Sequence, residues 1–292
     1  MKISYYPGCT LKNNAKNFED SALYSLKHLG VEVEELPRWN CCGTVFSLTT
    51  DDLIHHLAPI RNLIRTKELN SERLLTLCAM CYNTLKRANE RVKNDPDSLD
   101  VINNFMEREK VKYDGGVKVV HLLELLRDEI KFKAVEEKVV NPLRNLKVAS
   151  YYGCLLVRPR EIGLDDIENP TILENLVQTL GAEAVDFPYK TECCGAYHTV
   201  NDPKMVAERT FQIITSALTC GAEAMVVSCP LCAFNLDHRQ KETVAQHPEF
   251  KGMPVLYFTQ AMALAFGCVE KDLGFKLHYV NPKPLLAEKG LI

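Results

Sequence analysis

The sequence predicts an α/β protein made of two pseudo-repeated α/β domains, each with a short, mainly parallel sheet flanked by helices. Three observations support this prediction. The chain of 292 residues is long enough for two domains. Strand-like and helix-like segments alternate in both halves. Ten of the twelve cysteines form two sets of five in the same order. We expect domains at residues 1–140 and 147–292, joined by the charged segment 136–146.

The first half begins with a predicted strand at residues 2–6, followed by a helix at 15–29. Apolar side chains recur at helical spacing in that helix, and Gly30 follows it as a stop signal. The remaining predicted elements of this half are strands at 31–36, 73–77 and 117–120, a helix that starts at Cys78, and a helix at 122–130.

The second half repeats this plan. Its predicted strands are 147–152, 184–187, 224–227 and 255–258, and its predicted helices are 172–180, 205–218 and 259–266. The segment from Val280 onward contains several prolines and is predicted to be irregular.

Each set of five cysteines combines a single cysteine after a strand, a Cys-Cys-Gly turn and a Cys-x-x-Cys pair at a helix start. The first set is Cys9, Cys41, Cys42, Cys78 and Cys81, and the second is Cys154, Cys193, Cys194, Cys229 and Cys232. Ligands collect at the carboxyl ends of parallel strands, and helix starts stabilise thiolates. We therefore expect one site per set. Cys220 and Cys268 lie outside the repeat and are predicted to be buried, small apolar residues.

The composition limits the chemistry of these sites. The N-terminus has no apolar secretory segment, and clustered cysteines in a reducing compartment are more often metal ligands or catalytic groups than disulfides. No apolar run is long enough to span a membrane, and a formal net charge of −3 argues against nucleic acid as a partner. Five thiolates exceed the four ligands of a zinc ion or a cubane cluster. The adjacent pair favours a cluster of several irons, although one zinc site beside one cluster stays open.

The two motifs resemble the duplicated cysteine-rich "CCG" domain, and in particular the B subunit of heterodisulfide reductase from methanogenic archaea. The resemblance covers almost the whole chain and includes all ten cysteines of the two sets. It implies that each set binds a noncubane [4Fe-4S] cluster, which makes two clusters per chain with all ten cysteines as ligands. One [4Fe-4S] cluster and one zinc ion is the alternative.

The resemblance also implies a function. It predicts an oxidoreductase acting on a sulfur group, which reduces the coenzyme M–coenzyme B heterodisulfide to two thiols in the last step of methanogenesis. Two facing clusters then supply the two electrons of disulfide reduction. The implied partners are the ferredoxin-like C subunit and the flavin-containing, bifurcating A subunit of heterodisulfide reductase, with a hydrogenase or formate dehydrogenase module, in the cytoplasm. The alternative is an electron-transfer or disulfide-reducing CCG subunit of another complex, of the sulfur-oxidation or 2-hydroxy-acid oxidation type.

This substrate carries a sulfonate, a phosphate and a carboxylate, so cationic donors are expected beside it. The candidates near the motifs are Lys12, Arg158, Arg160, Lys190 and His198, each of which also fits an ordinary surface position. His198 is in addition a candidate proton donor. Trp39 is a candidate for shielding the first site, although packing explains it equally well.

Overall fold

A computed structural model describes residues 1–44 and 52–292. Among these residues, the first half contains one parallel sheet and six α-helices. Its strands are β1 (Lys2–Tyr5), β2 (Glu32–Glu35), β3 (Arg73–Thr76) and β4 (Lys118–His121), paired in the order β2-β1-β3-β4. The helices are α1 (Lys16–His28), α2 (Leu57–Glu68), α3 (Ala79–Asn94), α4 (Pro96–Phe105), α5 (Leu122–Leu125), which continues into a π-helical turn at Leu126–Ile130, and α6 (Phe132–Glu136).

The second half has the same topology. Its strands are β5 (Lys147–Tyr151), β6 (Glu183–Val185), β7 (Ala224–Val227) and β8 (Val255–Tyr257), paired in parallel in the order β6-β5-β7-β8. The helices are α7 (Ile172–Thr179), α8 (Pro203–Thr219), α9 (Pro230–Ala233) with a π-helical turn at Phe234–His238, α10 (Gln240–Gln246), α11 (Phe258–Ala265) and α12 (Lys283–Glu288).

The predicted α/β fold with two repeats is confirmed, and both sheets are wholly parallel rather than mainly so. All eight predicted strands are present, with ends that shift by one or two residues. The side chains of six strands are largely buried, as expected for parallel strands covered by helices, whereas those of the edge strands β2 and β6 are mostly exposed or half-buried. Helices α2, α4, α6 and α10 were not predicted. The Asp95 side chain accepts a hydrogen bond from the Ser98 N–H at the start of α4, which is a cap that the sequence does carry.

The prediction of an irregular C-terminal segment is wrong in part. Helix α12 forms there, and Leu286 and Leu291 are buried. The Asn141 side chain donates to the Leu291 carbonyl at 3.1 Å, and Lys289 pairs with Glu223 at 2.5 Å. This segment is therefore attached to the second half by apolar burial and by polar contacts.

The two halves pack against each other through helices. Helix α1 packs on α11 of the other half, and α7 packs on α6. At the first contact, the Phe18 and Tyr257 rings stack with centroids 4.3 Å apart, and the Ser21 and Thr259 hydroxyls lie 2.7 Å apart. Within the described part of the chain, no helix is both long enough and apolar enough to cross a membrane.

Candidate metal centres

Loops at the carboxyl ends of the strands carry the cysteines, and glycine makes two of these loops possible. Gly8 precedes the first cysteine at a φ of +75°, and Gly153 occupies the same place in the second half at +65°. A Cβ atom on Gly8 would lie 3.1 Å from the Cys81 sulfur, and one on Gly153 would lie 3.2 Å from the Cys232 sulfur. Each glycine thus allows a left-handed turn in direct contact with a sulfur.

The structure brings the five cysteines of the first set together. The Cys9 and Cys41 sulfurs are 3.9 Å apart, and the Cys42 and Cys81 sulfurs are 3.6 Å apart. The neighbouring Cys41 and then Cys81 thiols lower the pKa of Cys42, whereas Cys42 and then Cys78 raise the pKa of Cys81. Cys78 completes the set, because after Cys229 the neighbouring Cys81 thiol is the group that most affects its pKa. Cys9 and Cys41 are exposed, and the other three are buried.

The second set has the same arrangement. The Cys194 and Cys232 sulfurs are 3.5 Å apart, and the Gly195 N–H donates to the Cys193 sulfur at 3.3 Å. The neighbouring Cys154 thiol lowers the pKa of Cys193 to about 6, and Cys193 in turn raises the pKa of Cys154. Each site therefore combines thiol donors with groups that favour the thiolate form, which is the form that binds metals.

The two sets meet at their Cys-x-x-Cys pairs. The neighbouring Cys229 thiol is the main cause that raises the pKa of Cys78, so the two side chains lie near each other. The backbone supports this contact, because the Ala79 N–H donates to the Ser228 carbonyl at 3.2 Å. The sulfurs of both halves therefore form adjoining sites across the boundary between the repeats.

Aromatic side chains surround these sites. Tyr5, Tyr6, Tyr151 and Tyr152 are all buried. Burial first, and then the neighbouring cysteines, raise the pKa values of Tyr6 and Tyr151, so these two rings flank the sulfurs. Tyr5 and Tyr152 instead donate to carboxylates of α1 and α7. Trp39 packs edge-on against Tyr6, with ring centroids 6.0 Å apart, so it covers a ring that flanks the first site.

The two lysines predicted to bind substrate are engaged in ion pairs. Lys12 contacts Glu19 at 2.7 Å and Glu35 at 2.6 Å. Lys190 is buried and contacts Glu174 at 3.2 Å and Asp186 at 2.8 Å. These pairs occupy both ammonium groups in the described structure, and a role in substrate binding stays a prediction.

The other candidates lie nearer to solvent. Arg158 donates to the Thr191 carbonyl at 3.1 Å and lies 3.5 Å from the Glu168 carboxylate. Arg160 is exposed. His198 is exposed at the end of a 3₁₀ turn, Ala196–His198, that follows the second Cys-Cys-Gly turn. Their roles toward a substrate, including proton donation by His198, also stay predictions.

The prediction for the cysteines outside the sets is half correct. Cys268 is buried, as predicted. The prediction that Cys220 is buried is wrong, because Cys220 is exposed at the C-terminal end of α8. Gly221 and a turn into β7 follow it at the surface.

A small cavity of about 10 Å³ lies inside the second site. It is lined by Cys154, Cys194, Cys229 and Cys232, by Tyr152, Leu155, Ala196 and Tyr197, and by Ala79 and Met80 of the first half. The Tyr197 hydroxyl is buried without a hydrogen-bond partner among the described residues, as is the Ser228 hydroxyl beside Cys229. Sequence reasoning missed both residues, although both lie within three positions of a motif cysteine.

A larger cleft of about 490 Å³ lies between the halves, on the side of Cys9. Asn13, Asn17, Leu231, Phe234 and Asp237 are among the residues that line it, and no lysine or arginine does so in the described part of the chain.

The longer loop that follows Cys154 fills the equivalent side of the molecule. The Asn83 side chain donates to the carbonyls of Leu155 and Arg158 in that loop, and Lys86 donates to the carbonyl of Ile162. The two equivalent surfaces between the halves therefore differ. The one on the side of Cys9 is an open cleft, and the one on the side of Cys154 is filled by a loop.

The residues fit iron–sulfur groups in their chemistry. Within residues 1–44 and 52–292, no group of three or more His, Cys, Asp or Glu side chains is arranged as a ready site for a metal ion, and the sulfurs instead approach one another in pairs. The fit rests on the type of ligand atom. Each site offers five sulfur ligands, the type that iron–sulfur clusters use. The buried hydroxyls of Tyr197 and Ser228 are available to the sulfur atoms of a bound group.

Comparison with known families assigns the fold and the motifs. The family described as "Cysteine-rich domain" (CCG) matches residues 3–86 and 148–237. The matched segments contain the sheets' first strands and all ten motif cysteines. The chain therefore belongs to the CCG cysteine-rich domain family and carries two copies of the domain.

Its relatives include redox subunits of two kinds. The chain is 32% identical over 285 residues to the 8-methylmenaquinol:fumarate reductase membrane anchor subunit of Wolinella succinogenes, covering 97% of this chain and 99% of that protein. It is 29% identical over 293 residues to the B subunit of the ferredoxin:CoB-CoM heterodisulfide reductase of Methanosarcina mazei, covering 98% and 96%. A hypothetical protein from Helicobacter pylori shares the fold, with a TM-score of 0.74 and 15% identity. That match covers 95% of this chain and about half, 51%, of that one.

Proposed function

We propose that this chain is the disulfide-reducing subunit of an oxidoreductase complex, equivalent to the B subunit of heterodisulfide reductase, with the coenzyme M–coenzyme B heterodisulfide as substrate in the last step of methanogenesis. The observation that carries the proposal is the backbone hydrogen bond between Ala79 and Ser228, because it places the two five-cysteine sites side by side as one redox centre. The reaction consumes two electrons and two protons and releases two thiols. Two adjoining one-electron sites match the electron requirement.

In this proposal each set of cysteines holds a noncubane [4Fe-4S] cluster, and the ten cysteines are the ligands. The alternative loading is one [4Fe-4S] cluster and one zinc ion. When bound, the clusters supply one-electron transfer and a Lewis-acidic iron. The full set of sulfur ligands in both halves supports equal loading, because neither motif lacks a member.

The chain's own residues then exclude water from one side of the redox centre and leave the other side open to water. Cys42, Cys78 and Cys81 are buried, as are their counterparts Cys194, Cys229 and Cys232, whereas Cys9 and Cys41 are exposed. Protons for the departing thiolates reach the centre from this exposed edge, and exposed His198 is the side chain proposed to supply them on the second side.

The proposed organisation follows the repeat. We propose domains at residues 1–140 and 147–292, each with one site. The proposed partners are the ferredoxin-like C subunit, the flavin-containing A subunit, and a hydrogenase or formate dehydrogenase module upstream. The relatives named as the B subunit of heterodisulfide reductase support this assembly.

A second candidate function is electron transfer from a quinol to another redox protein. The relative from Wolinella succinogenes, named for an 8-methylmenaquinol:fumarate reductase, favours it. The open cleft also favours it, because a lining without lysine or arginine among the described residues suits an uncharged molecule better than a disulfide with anionic ends.

One experiment separates these functions. The protein is purified anaerobically, and its iron, sulfide and zinc contents are measured per chain. About eight irons without zinc are expected for two four-iron clusters. The dithionite-reduced protein is then mixed with coenzyme M–coenzyme B heterodisulfide, and the oxidised protein with menadiol.

Oxidation of the reduced protein with release of two thiols supports the disulfide reductase. Reduction by menadiol, without a reaction with the disulfide, would replace it with the quinol candidate. About four irons with one zinc would contradict the proposal of two redox sites.

A further inference from the structure

The two sites differ in the hydrogen-bond donors that the chain places beside them. In the second half, Tyr197 lines a cavity that four of the five cysteines also line, and its buried hydroxyl has no partner among the described residues. It lies three residues after Cys194. The residue at the same distance from the first double cysteine is Val45, which lies outside the described residues and whose side chain has no donor.

Two further positions show the same difference in hydrogen-bond donors between the two sites. Ser228 precedes Cys229 and keeps a buried hydroxyl without a partner in the described structure, whereas Leu77 precedes Cys78. The Asn235 side-chain amide lies 3.6 Å from the Cys194 sulfur and donates to the Cys194 carbonyl at 3.0 Å. Its counterpart in the first half, Thr84, donates its hydroxyl to the Met80 carbonyl of its own helix.

One donor in the first half opposes this pattern. The Thr76 hydroxyl in β3 is buried and has no partner within residues 1–44 and 52–292, and the second half has Val227 at the equivalent position. Among the described residues the second site nevertheless has more donors, and of these Tyr197 is the one that lines its cavity. A hydrogen bond to a cluster sulfur favours the reduced state, which carries more negative charge, and so raises the reduction potential.

We propose that the Tyr197 hydroxyl donates a hydrogen bond to a sulfur of the group held by the second set, and that this makes the second site the one of higher reduction potential. Electrons then pass from the first site to the second across the Cys78–Cys229 contact. The exposure of Cys9 and Cys41 agrees with this direction, because it places the accessible edge for an electron donor at the first site. The inference rests on the proposed function only in requiring one redox-active iron–sulfur group per set.

The test is a redox titration of the anaerobic iron-loaded protein followed by EPR. Two potentials are expected in the wild type. Tyr197→Phe removes only the hydroxyl, and we expect it to lower the higher potential by about 59 mV, which corresponds to a tenfold change in the one-electron equilibrium constant. The lower potential should not change. Thr76→Val is the matched control, since it also removes one buried hydroxyl, and it should leave the higher potential unchanged.

A second variant covers the case in which Tyr197→Phe loses iron. Difluorotyrosine at position 197 keeps the ring and makes the hydroxyl a stronger donor, so it should raise the higher potential. A shift of the lower potential, or no shift with full iron content, would overturn the inference. A wild-type protein that binds no iron would instead refute the proposed function, so the two failures are distinguishable.

Discussion

The Ala79 N–H donates a hydrogen bond to the Ser228 carbonyl at 3.2 Å, and this backbone contact brings together the Cys-x-x-Cys pairs of the two repeats. Groups bound on both sides of this contact would be close enough for their unpaired electrons to interact. We expect the EPR spectrum of the protein with both sites paramagnetic to show spin–spin splitting or broadening.

The matched variant for this expectation is Cys229→Ala. It should leave a single, unbroadened signal from the first site. A wild-type spectrum that is the simple sum of two sharp, independent signals at every potential would contradict contact between the sites.

The stoichiometry of iron distinguishes two separate sites from one shared site. Cys9 lies 3.9 Å from Cys41 of its own set, and Cys154 contacts Cys193 of the second set. We therefore expect Cys9→Ala and Cys154→Ala each to lower the iron content by about half, because a cluster requires its full set of thiolate ligands.

The control is Cys220→Ala, which removes an exposed cysteine outside both sets and should retain all of the iron. Complete loss of iron in either single variant would show that one site depends on the other. Iron and acid-labile sulfide analysis of the anaerobically purified proteins provides the measurement.

The repeated elements were predictable because their signals are local. Buried parallel strands read as short apolar runs, and Gly30 and Gly181 mark the ends of helices at positive φ. The ten motif cysteines were identified by their spacing alone, and the structure does bring each set together. Their common position at strand ends follows from the topology of parallel sheets.

What could not be predicted depends on tertiary contacts. The prediction that the C-terminal segment is irregular failed because Leu286 and Leu291 pack on an apolar surface that only the folded second half provides. The difference between the open and filled sides also depends on where the loop after Cys154 packs, and its anchors are donors on the other half, such as Asn83. The Tyr197 hydroxyl acquires significance only once its cavity is known.

His278 connects three segments and makes the stability of the fold depend on pH. Its Nε2 atom lies 3.1 Å from the Asn17 amide nitrogen of α1 and 2.9 Å from the Gln260 amide nitrogen of α11. Burial, and secondarily the charge on His238, lower the pKa of His278 from 6.5 to about 4, although the Asp237 carboxylate is 3.8 Å from Nδ1. The neutral ring is therefore the form that the fold accepts.

The direction in which stability changes with pH follows from this lowered pKa. Between about pH 6.5 and pH 4 the unfolded chain binds a proton that the folded chain does not, so stability falls as the pH falls through this window. We expect wild-type protein to lose about 2 kcal/mol more than His278→Gln between about pH 7.5 and about pH 5. Urea unfolding of both proteins at the two pH values measures the difference. Equal losses would show that His278 is not the responsible group.

Gly8 offers a direct test of how closely the backbone approaches the first site. An alanine at this position adds a Cβ atom 3.1 Å from the Cys81 sulfur and holds a left-handed conformation at a φ of +75°. Gly290 provides a matched control, because its φ is +69° but no atom of the described residues lies within 4 Å of the position that an added methyl group would take. Gly290→Ala should therefore cost only the backbone strain, about 1–2 kcal/mol.

Gly8→Ala should cost more than Gly290→Ala and should also reduce the iron content, because the added methyl group displaces a ligand sulfur. Gly153→Ala should act in the same way on the second site, where the added atom lies 3.2 Å from the Cys232 sulfur. Thermal unfolding and iron analysis of the three variants provide the measurement. If the Gly8 and Gly290 variants lose the same stability and both retain all of their iron, the close approach to Cys81 has no part in holding the site together.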